Sequence, residues 1–293
     1  MLGRIGLFML TNILILTMVA IVTGLLGVGG YMTQTGLDYG ALLVFCLIWG
    51  MVGSFISLAL SRWMAKKLMR VHLVNPESPG ELQWYRDMVY HLAKRAALPA
   101  MPEVGIYESS DLNAFATGPT RKRSLVAVST GLLGSMNRAE LEGVLAHEIG
   151  HVRNGDMVTM VLIQGVINAF IMFFARVIAF FVSGAVRDEL RWVVNIVVII
   201  VLQILFGMLG MMVTGWFSRK REFRADQSSA QLAGREKMTA ALEKLLQAQP
   251  AAAQIKDAHP SFASLKISGK RSKFSALFST HPPLEDRIAA LKG

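Results

Sequence analysis

Near the middle of the chain, residues 137–158 have the sequence NRAELEGVLAHEIGHVRNGDMV. Asn137 followed three residues later by Glu140 is the pattern of a helix N-cap with a capping box. We expect a helix that begins there and runs to about Arg153, because the following Asn154-Gly155 pair can end it. The segment therefore predicts a polar helix that stops directly before an uncharged apolar run.

This helix carries a metal-binding pattern. His147 and His151 are four residues apart, so both imidazoles project from one helix face and can bind a single Zn²⁺. Glu148 follows one residue after His147, close enough to reach a water on the metal without being a ligand. The resulting H-E-x-x-H pattern is typical of metal-assisted peptide hydrolysis. The alternative is an ordinary surface helix that presents two histidines and a glutamate.

The composition points to a membrane protein. Hydrophobic residues make up 53% of the 293 residues and charged residues only 17%, an unusual balance for a water-soluble globule. Four runs of 33, 23, 19 and 27 residues carry no charge, and each is close to or above the roughly 20 residues that a helix needs to cross a bilayer. Buried core helices are the alternative, although soluble helices rarely stay uncharged for so long. We predict transmembrane helices near residues 5–27, 39–60, 157–178 and 192–217, the first an uncleaved anchor.

The charge distribution predicts the sidedness of these spans. The net charge of +10 lies entirely in segments 62–156 and 219–293 together with Arg4, because the remaining charges sum to zero. The positive-inside rule then places both segments and both termini in the cytoplasm. Anionic lipid explains the basic residues beside the spans, and we expect no nucleic-acid partner.

The third metal ligand has to come from another part of the chain. A catalytic zinc site has three protein ligands and an open position, but Met157 occupies the metzincin position ten residues after His147. Two membrane crossings return the chain to the same side, where residues 219–226 read RKREFRAD. Glu222 and Asp226 share a helix face there, so Glu222 is the candidate third ligand and Asp226 a candidate acceptor for a ligand histidine's free ring N–H. The alternative is a solvated run of charges.

These observations predict a mainly α membrane protein with four transmembrane helices and one α+β cytoplasmic domain assembled from two chain segments. Residues 1–60 would hold the first two spans, and residues 157–217 the third and fourth. Residues 61–156 would form the first part of the soluble domain, with the H-E-x-x-H helix. Residues 218–293 would form its second part, with the third ligand.

Three short strands are expected before the H-E-x-x-H helix, at residues 103–109, 113–118 and 124–129, where apolar residues alternate or run between turn signals. An exposed strand edge at 113–117 could pair its backbone with an extended substrate. Asn113, Ala114 and Phe115 are the candidate substrate-binding residues on that edge. A purely structural strand is the alternative.

The chain resembles the bacterial HtpX-type membrane metallopeptidases, which are relatives of the Ste24-type CaaX proteases among the gluzincins. The resemblance rests on Asn113–Gly118, His147–His151, the E-x-x-x-D pattern of Glu222–Asp226, and Thr280–Pro283. It implies a zincin-like fold for the cytoplasmic domain and one Zn²⁺ per chain. It also implies an endopeptidase of the inner membrane that faces the cytoplasm and removes unfolded or misfolded membrane proteins, often under stress.

The resemblance further implies a role for His281, which precedes the helical pattern of residues 284–291. The equivalent histidine of Ste24-like enzymes is thought to donate a hydrogen bond to the oxyanion of the tetrahedral intermediate. A capping or surface histidine is an equal alternative.

Three other kinds of protein are alternative interpretations of this sequence. An intramembrane site-2-type protease would hold the H-E-x-x-H pattern inside an apolar span, whereas Arg138, Glu140 and Glu142 precede it here. A CaaX-type protease of prenylated peptides would need a cavity that four spans can scarcely enclose. A non-enzymatic adaptor with a structural zinc would need a fourth protein ligand, which Cys46, inside the second predicted span, cannot supply.

Overall fold

The structure is a computed structural model that describes residues 30–33, 36–78, 80–257 and 279–293, together with positions 17, 21, 24 and 25. The chain divides into two compact units, each built from two separated stretches. The first comprises residues 1–58 and 159–214, and the second comprises residues 59–158 and 215–293.

Most of the described residues are helical, and a small sheet completes the second unit. In chain order the elements are β1 (Met32–Thr33), β2 (Gly36–Leu37), α1 (Tyr39–Leu68), β3 (His72–Leu73), α2 (Gly80–Arg95), β4 (Glu103–Tyr107), β5 (Ala114–Thr120), β6 (Arg123–Ser129), α3 (Thr130–Ser135), α4 (Arg138–Asn154), α5 (Asp156–Gly184), α6 (Asp188–Leu232), α7 (Arg235–Asp257) and α8 (Leu284–Lys292).

Helices α1, α5 and α6 are long and apolar enough to cross a membrane. They coincide with three of the four predicted spans, while the span predicted at 5–27 lies outside the described residues. Large apolar side chains on α5 and α6, such as Phe170, Phe181 and Ile204, are more than half exposed. Such exposed apolar surface is costly in water and is typical of helices that face lipid.

Helix α6 is longer than the predicted span. It continues from the apolar run through Arg219 to Leu232 as one helix of 45 residues, because neither glycine nor proline interrupts the sequence between Phe217 and Leu232. The helix ends just before Gly234, whose φ of +109° is a backbone conformation that glycine tolerates. A single continuous helix therefore carries both the fourth apolar run and the E-x-x-x-D pattern.

The sheet of the second unit has the order β3-β4-β6-β5. Strands β4 and β6 are parallel, and the two outer pairs are antiparallel. Strands β4, β5 and β6 confirm the three predicted strands to within two residues at each end. Strand β3 was not anticipated because two residues are too few to show an alternating pattern. Strand β5 is the outermost strand on its side of the sheet.

Helix α4 forms as its sequence predicts. Asn137 Oδ1 accepts hydrogen bonds from the backbone N–H groups of Ala139 and Glu140 at 2.9 and 3.0 Å. Glu140 in turn accepts a hydrogen bond from the Asn137 backbone N–H at 2.9 Å, which completes the capping box. At the other end Gly155 has a φ of +70°, the left-handed conformation that ends many helices.

One face of α4 is anchored in the core of the second unit. Leu141, Leu145 and Ile149 follow a four-residue spacing and are at most 1% exposed. They belong to a buried cluster to which α2, β4, β6 and α7 also contribute. Each fully buried apolar side chain contributes about 1.5–3 kcal/mol to the free energy of folding. The helix is thus held firmly on its apolar face, which leaves its histidine-bearing face free to receive other elements.

We predict that Gly143→Ala destabilises the second unit, because a Cβ at this position of α4 would lie 2.6 Å from the backbone carbonyl oxygen of Lys237 on α7. The two helices would have to separate, at a cost of about 1–3 kcal/mol in the free energy of unfolding. Gly134→Ala is the matched control, because a Cβ there meets no heavy atom within 4 Å. Denaturant unfolding of the purified full chain measures both. Equal stability of the two variants would show that α4 and α7 do not approach so closely.

Candidate active site

The second unit brings His147, His151 and Glu222 together. The two Nε2 atoms of the histidines on α4 are 3.1 Å apart. Glu222 on α6 places Oε2 at 3.6 Å from His147 Nε2 and Oε1 at 3.4 Å from His151 Nε2. The three side chains are buried, with residue exposures of 6%, 8% and 1%. Three donor atoms thus face one point in the interior of the unit.

These distances fit a zinc ion. Zinc binds histidine nitrogen and carboxylate oxygen at about 2.0–2.2 Å, so two ligand atoms of a tetrahedral site lie about 3.3 Å apart. The three donor atoms of this site all lie within 4.8 Å of one another. The two closest pairs, at 3.1 and 3.4 Å, are near the separation of about 3.3 Å expected for a tetrahedral zinc site. Two imidazoles and one carboxylate are also a common ligand set of catalytic zinc.

Two further carboxylates hold the outer nitrogens of the imidazole rings. Asp226 Oδ1 is 2.8 Å from His147 Nδ1, and Asp156 Oδ2 is 2.7 Å from His151 Nδ1. Both carboxylates are only 2% exposed. Such contacts orient each ring and keep the proton on Nδ1, which leaves Nε2 available to a metal. Asp156 was missed in the sequence because it appeared only as the charge that precedes an apolar run.

Arg287 on α8 completes this buried network. Its Nε donates to Asp226 Oδ2 at 2.8 Å and its second guanidinium nitrogen to Asp226 Oδ1 at 2.6 Å, a two-pronged ion pair. A guanidinium nitrogen also lies 3.7 Å from Glu222 Oε2. The sequence held a signal for this residue. Arg287 stands in the apolar stripe of α8, between Leu284, Ile288 and Leu291, where a helix normally carries a core residue.

The pKa values of the site reflect these contacts. Burial by itself would lower the pKa of His151, but Asp156 and Glu222 outweigh that effect and raise it to about 9. The pKa of His147 is raised in the same way, because Asp226 and Glu222 outweigh its burial. The pKa of Glu222 is correspondingly lowered despite its burial, because three histidines surround it. A metal that binds here has to displace protons from the imidazoles.

The other predicted residues lie at different distances from this network. Glu148 is half-buried and near enough for its charge to contribute to the raised pKa of His151. His281 Nδ1 lies 2.9 Å from Glu222 Oε2, while the side chain of His281 remains 62% exposed. Its ring is therefore both beside the Glu222 carboxylate and open to solvent.

The candidate substrate strand lies next to the helix that carries the histidines. Strand β5 contacts α4, and its outer edge has no partner strand among the described residues. Asn113, just before β5, is exposed, whereas Ala114 and Phe115 are half-buried. Within the described part of the chain, no hydrogen bond or ion pair connects these three side chains to the two histidines.

The sequence and the fold are both similar to those of known proteins. Residues 79–293 match the protein family described as Peptidase family M48. The Protease HtpX homolog of Bacillus licheniformis is 51% identical over 99% of this chain and 98% of its own length. The Protease HtpX homolog of Bacillus subtilis is 50% identical over the same shares of both chains. Protease HtpX of Hydrogenovibrio crunogenus is 49% identical over 99% of this chain and 96% of its own length.

A solved structure shares the fold. The crystal structure of S. mikatae Ste24p superimposes with a TM-score of 0.58 over 86% of this chain, at 20% sequence identity. This chain spans 58% of the length of that structure, so the likeness concerns the common fold alone.

We predict that Glu222→Ala removes bound zinc, because it deletes one of three converging donor atoms. Asp226→Asn keeps all three donors but weakens the orientation of His147, and we expect zinc affinity to fall about 10–100-fold. Glu236→Ala, an exposed carboxylate on α7, is the control and keeps wild-type zinc. The measurement is zinc per chain after equilibration at a fixed free zinc concentration. Full zinc occupancy in Glu222→Ala would reject Glu222 as the third ligand.

We also predict that Arg287 contributes to the stability of the second unit. Arg287→Leu removes one of the two partners of the buried Asp226 carboxylate and leaves His147, so we expect the free energy of unfolding to fall by about 1.5–3 kcal/mol, the contribution of hydrogen bonds to a charged group. Arg287→Lys retains the charge but loses the two-pronged geometry, so its loss should be smaller. Denaturant unfolding of the zinc-free full chain in detergent compares the two. If Arg287→Leu is as stable as the wild type, the ion pair between Arg287 and Asp226 does not stabilise the fold.

Proposed function

The chain belongs to peptidase family M48, and from that membership and the site geometry we infer that the protein cleaves misfolded or damaged membrane proteins at a zinc centre. Family membership confirms the resemblance to HtpX-type metallopeptidases and makes the protein a membrane metalloendopeptidase. We further propose which metal the site binds, what each residue does, what the substrates are and which side of the membrane the catalytic domain faces.

One observation carries the zinc proposal. His147, His151 and Glu222 converge on one point while Asp226 and Asp156 hold the outer nitrogens of both histidines. Bound Zn²⁺ would supply Lewis acidity, which lowers the pKa of water and polarises the scissile carbonyl. Within the described residues this is the one group of metal-ligating side chains, and it offers three ligands. Three protein ligands leave a position open for chemistry, which favours an enzyme over an adaptor with a structural zinc.

Glu148 acts as the general base and then as the general acid. Its carboxylate accepts a proton from the attacking water, whose oxygen bonds to the carbonyl carbon of the substrate. The same carboxyl group then donates that proton to the amine nitrogen as the carbon–nitrogen bond breaks. Its position supports this role, because Glu148 follows His147 on α4 and is not one of the three side chains whose ligand atoms converge.

His281 stabilises the negative charge that develops on the substrate oxygen. Its imidazole is held beside Glu222 and stays largely exposed, so it can reach a substrate carbonyl above the ligand atoms. A hydrogen bond from this ring would be stronger in the transition state than in the bound substrate. Its role as a capping or surface histidine remains the competing proposal.

Strand β5 binds the substrate backbone. Its outer edge lacks a partner strand among the described residues, and it lies against α4. An extended peptide added to this edge would be held mainly through main-chain hydrogen bonds at Asn113, Ala114 and Phe115. Main-chain recognition suits a protease of unfolded chains, because it demands little of the substrate sequence.

The catalytic domain is assembled from residues 61–156 and 218–293 and faces the cytoplasm of a bacterial cell, with one Zn²⁺ per chain. Four spans, near 5–27, 39–60, 157–178 and 192–217, hold it in the inner membrane with both termini inside. The concentration of the positive charge in the two polar segments supports this orientation.

The test compares cleavage of an unfolded protein by the wild type, Glu148→Gln and Glu142→Gln, all purified in detergent with zinc. Glu148→Gln should keep its zinc but lose turnover by about 10²–10⁴-fold, because the proton carrier is gone. Glu142→Gln makes the same change on the same helix, outside the proposed machinery, and should cleave like the wild type.

Two outcomes contradict the proposal in different ways. If Glu148→Gln cleaves as fast as the wild type, Glu148 is not the proton carrier. If the zinc-loaded wild type does not cleave unfolded protein at all, the proposed substrate class is wrong.

A further inference from the structure

The second unit contains a cavity of about 400 Å³. It is formed by the turn after α2, the β5–β6 hairpin, the end of α4 and the part of α6 beyond its apolar run. We call it the arginine cavity, lined by Ala96, Ala97, Leu98, Pro99, Arg121, Arg153, Asn154 and Arg224.

The charge of the arginine cavity is positive and poorly compensated. Arg121 and Arg153 have no carboxylate oxygen within 4.0 Å among the described residues. Arg224 lies 4.0 Å from Asp156 Oδ1 and keeps 62% of its side chain exposed. The three guanidinium groups repel one another, and a bound anion would remove that repulsion.

One residue of the cavity lining has an unsatisfied hydrogen-bond donor. Asn154 lines it, and the side-chain Nδ2 of Asn154 is buried with no hydrogen-bond partner in the described part of the chain. A buried N–H without an acceptor is unfavourable, so an oxygen-rich ligand would stabilise this position. Three cations and one free amide donor together call for an anion with several oxygen atoms.

Two arginines of the cavity are close in sequence to the apolar runs of α5 and α6. Arg153 precedes the apolar run that begins at Met157 by four residues, and Arg224 follows Phe217 by seven residues on the same helix. Seven residues of helix extend about 10 Å, and the headgroup region occupies about 5–8 Å outside the hydrocarbon core on each side. That region contains the phosphate groups of anionic lipids and lies between the apolar run and Arg224.

We infer that the arginine cavity binds the phosphate group of an anionic phospholipid headgroup. The planar forks of Arg121, Arg153 and Arg224 match phosphate oxygens, and Asn154 adds a neutral donor. A phosphatidylcholine headgroup carries a cation that the three arginines oppose, so the cavity selects phosphatidylglycerol. Inorganic phosphate shares the recognised chemistry and is the competing source. Binding at this cavity is independent of the zinc proposal.

The experiment titrates the full chain in detergent with short-chain phosphatidylglycerol, short-chain phosphatidylcholine or inorganic phosphate, and counts bound ligand by native mass spectrometry. We expect one phosphatidylglycerol per chain, bound at least tenfold more tightly than phosphatidylcholine. Arg121→Gln and Arg153→Gln should each weaken that binding about tenfold, since each removes a charged hydrogen-bond partner. Arg121→Lys keeps the charge and should lose less.

The matched control is Arg235→Gln, which removes one positive charge from an exposed position on α7 and should leave binding unchanged. Equal binding of the two lipids overturns the proposal, as does an equal loss in Arg235→Gln, which would indicate general attraction between charges. Unchanged binding in both Arg121→Gln and Arg153→Gln also overturns it. If inorganic phosphate displaces phosphatidylglycerol at matching concentrations, the cavity is a site for free phosphate and the lipid assignment is wrong.

Discussion

The ion pair between Asp226 and His147 is the contact on which the second unit depends. It joins α6 to α4 across 79 positions of sequence, with a distance of 2.8 Å between two buried side chains. A buried carboxylate is very unfavourable unless it is paired and hydrogen-bonded. Arg287 supplies the second partner of Asp226 and thereby includes α8 in the same network. Three helices distant in sequence must therefore meet for any of these charges to be stable.

Apolar packing and polar pairing hold α4 on different faces. Leu141, Leu145 and Ile149 fix it against the core, and the capping box and Gly155 define where it begins and ends. The opposite face presents two histidines to carboxylates from neighbouring segments. Because the backbone of α4 is held on one side, small movements of its histidines are restricted on the other. Such rigidity is what a metal site with a fixed geometry requires.

The continuity of α6 connects the site to the membrane span. Glu222 follows the last apolar residues of the span by only a few positions on an unbroken helix. Glu222, the proposed third ligand, is therefore separated from the apolar run by a few helical residues and no loop. The arginine cavity uses the same part of α6 and the end of α4, so a lipid phosphate bound there would contact both helices that supply the ligands.

Local patterns in the sequence determined the apolar helical runs at 39–60, 157–178 and 192–217, the limits of α4, strands β4, β5 and β6, and the shared face of His147 and His151. Each of these depends on neighbours within a few residues, such as a capping pair, an i,i+4 spacing or an uncharged run. Only the tertiary structure decided that Asp156 supports His151 and that Arg287 is buried against Asp226. Asp156 had the sequence appearance of a helix boundary, and the place of Arg287 in an apolar stripe did not indicate which carboxylate it pairs with. The physical reason is that a charge is buried only when packing brings its partner to it, and these partners come from segments that the sequence separates.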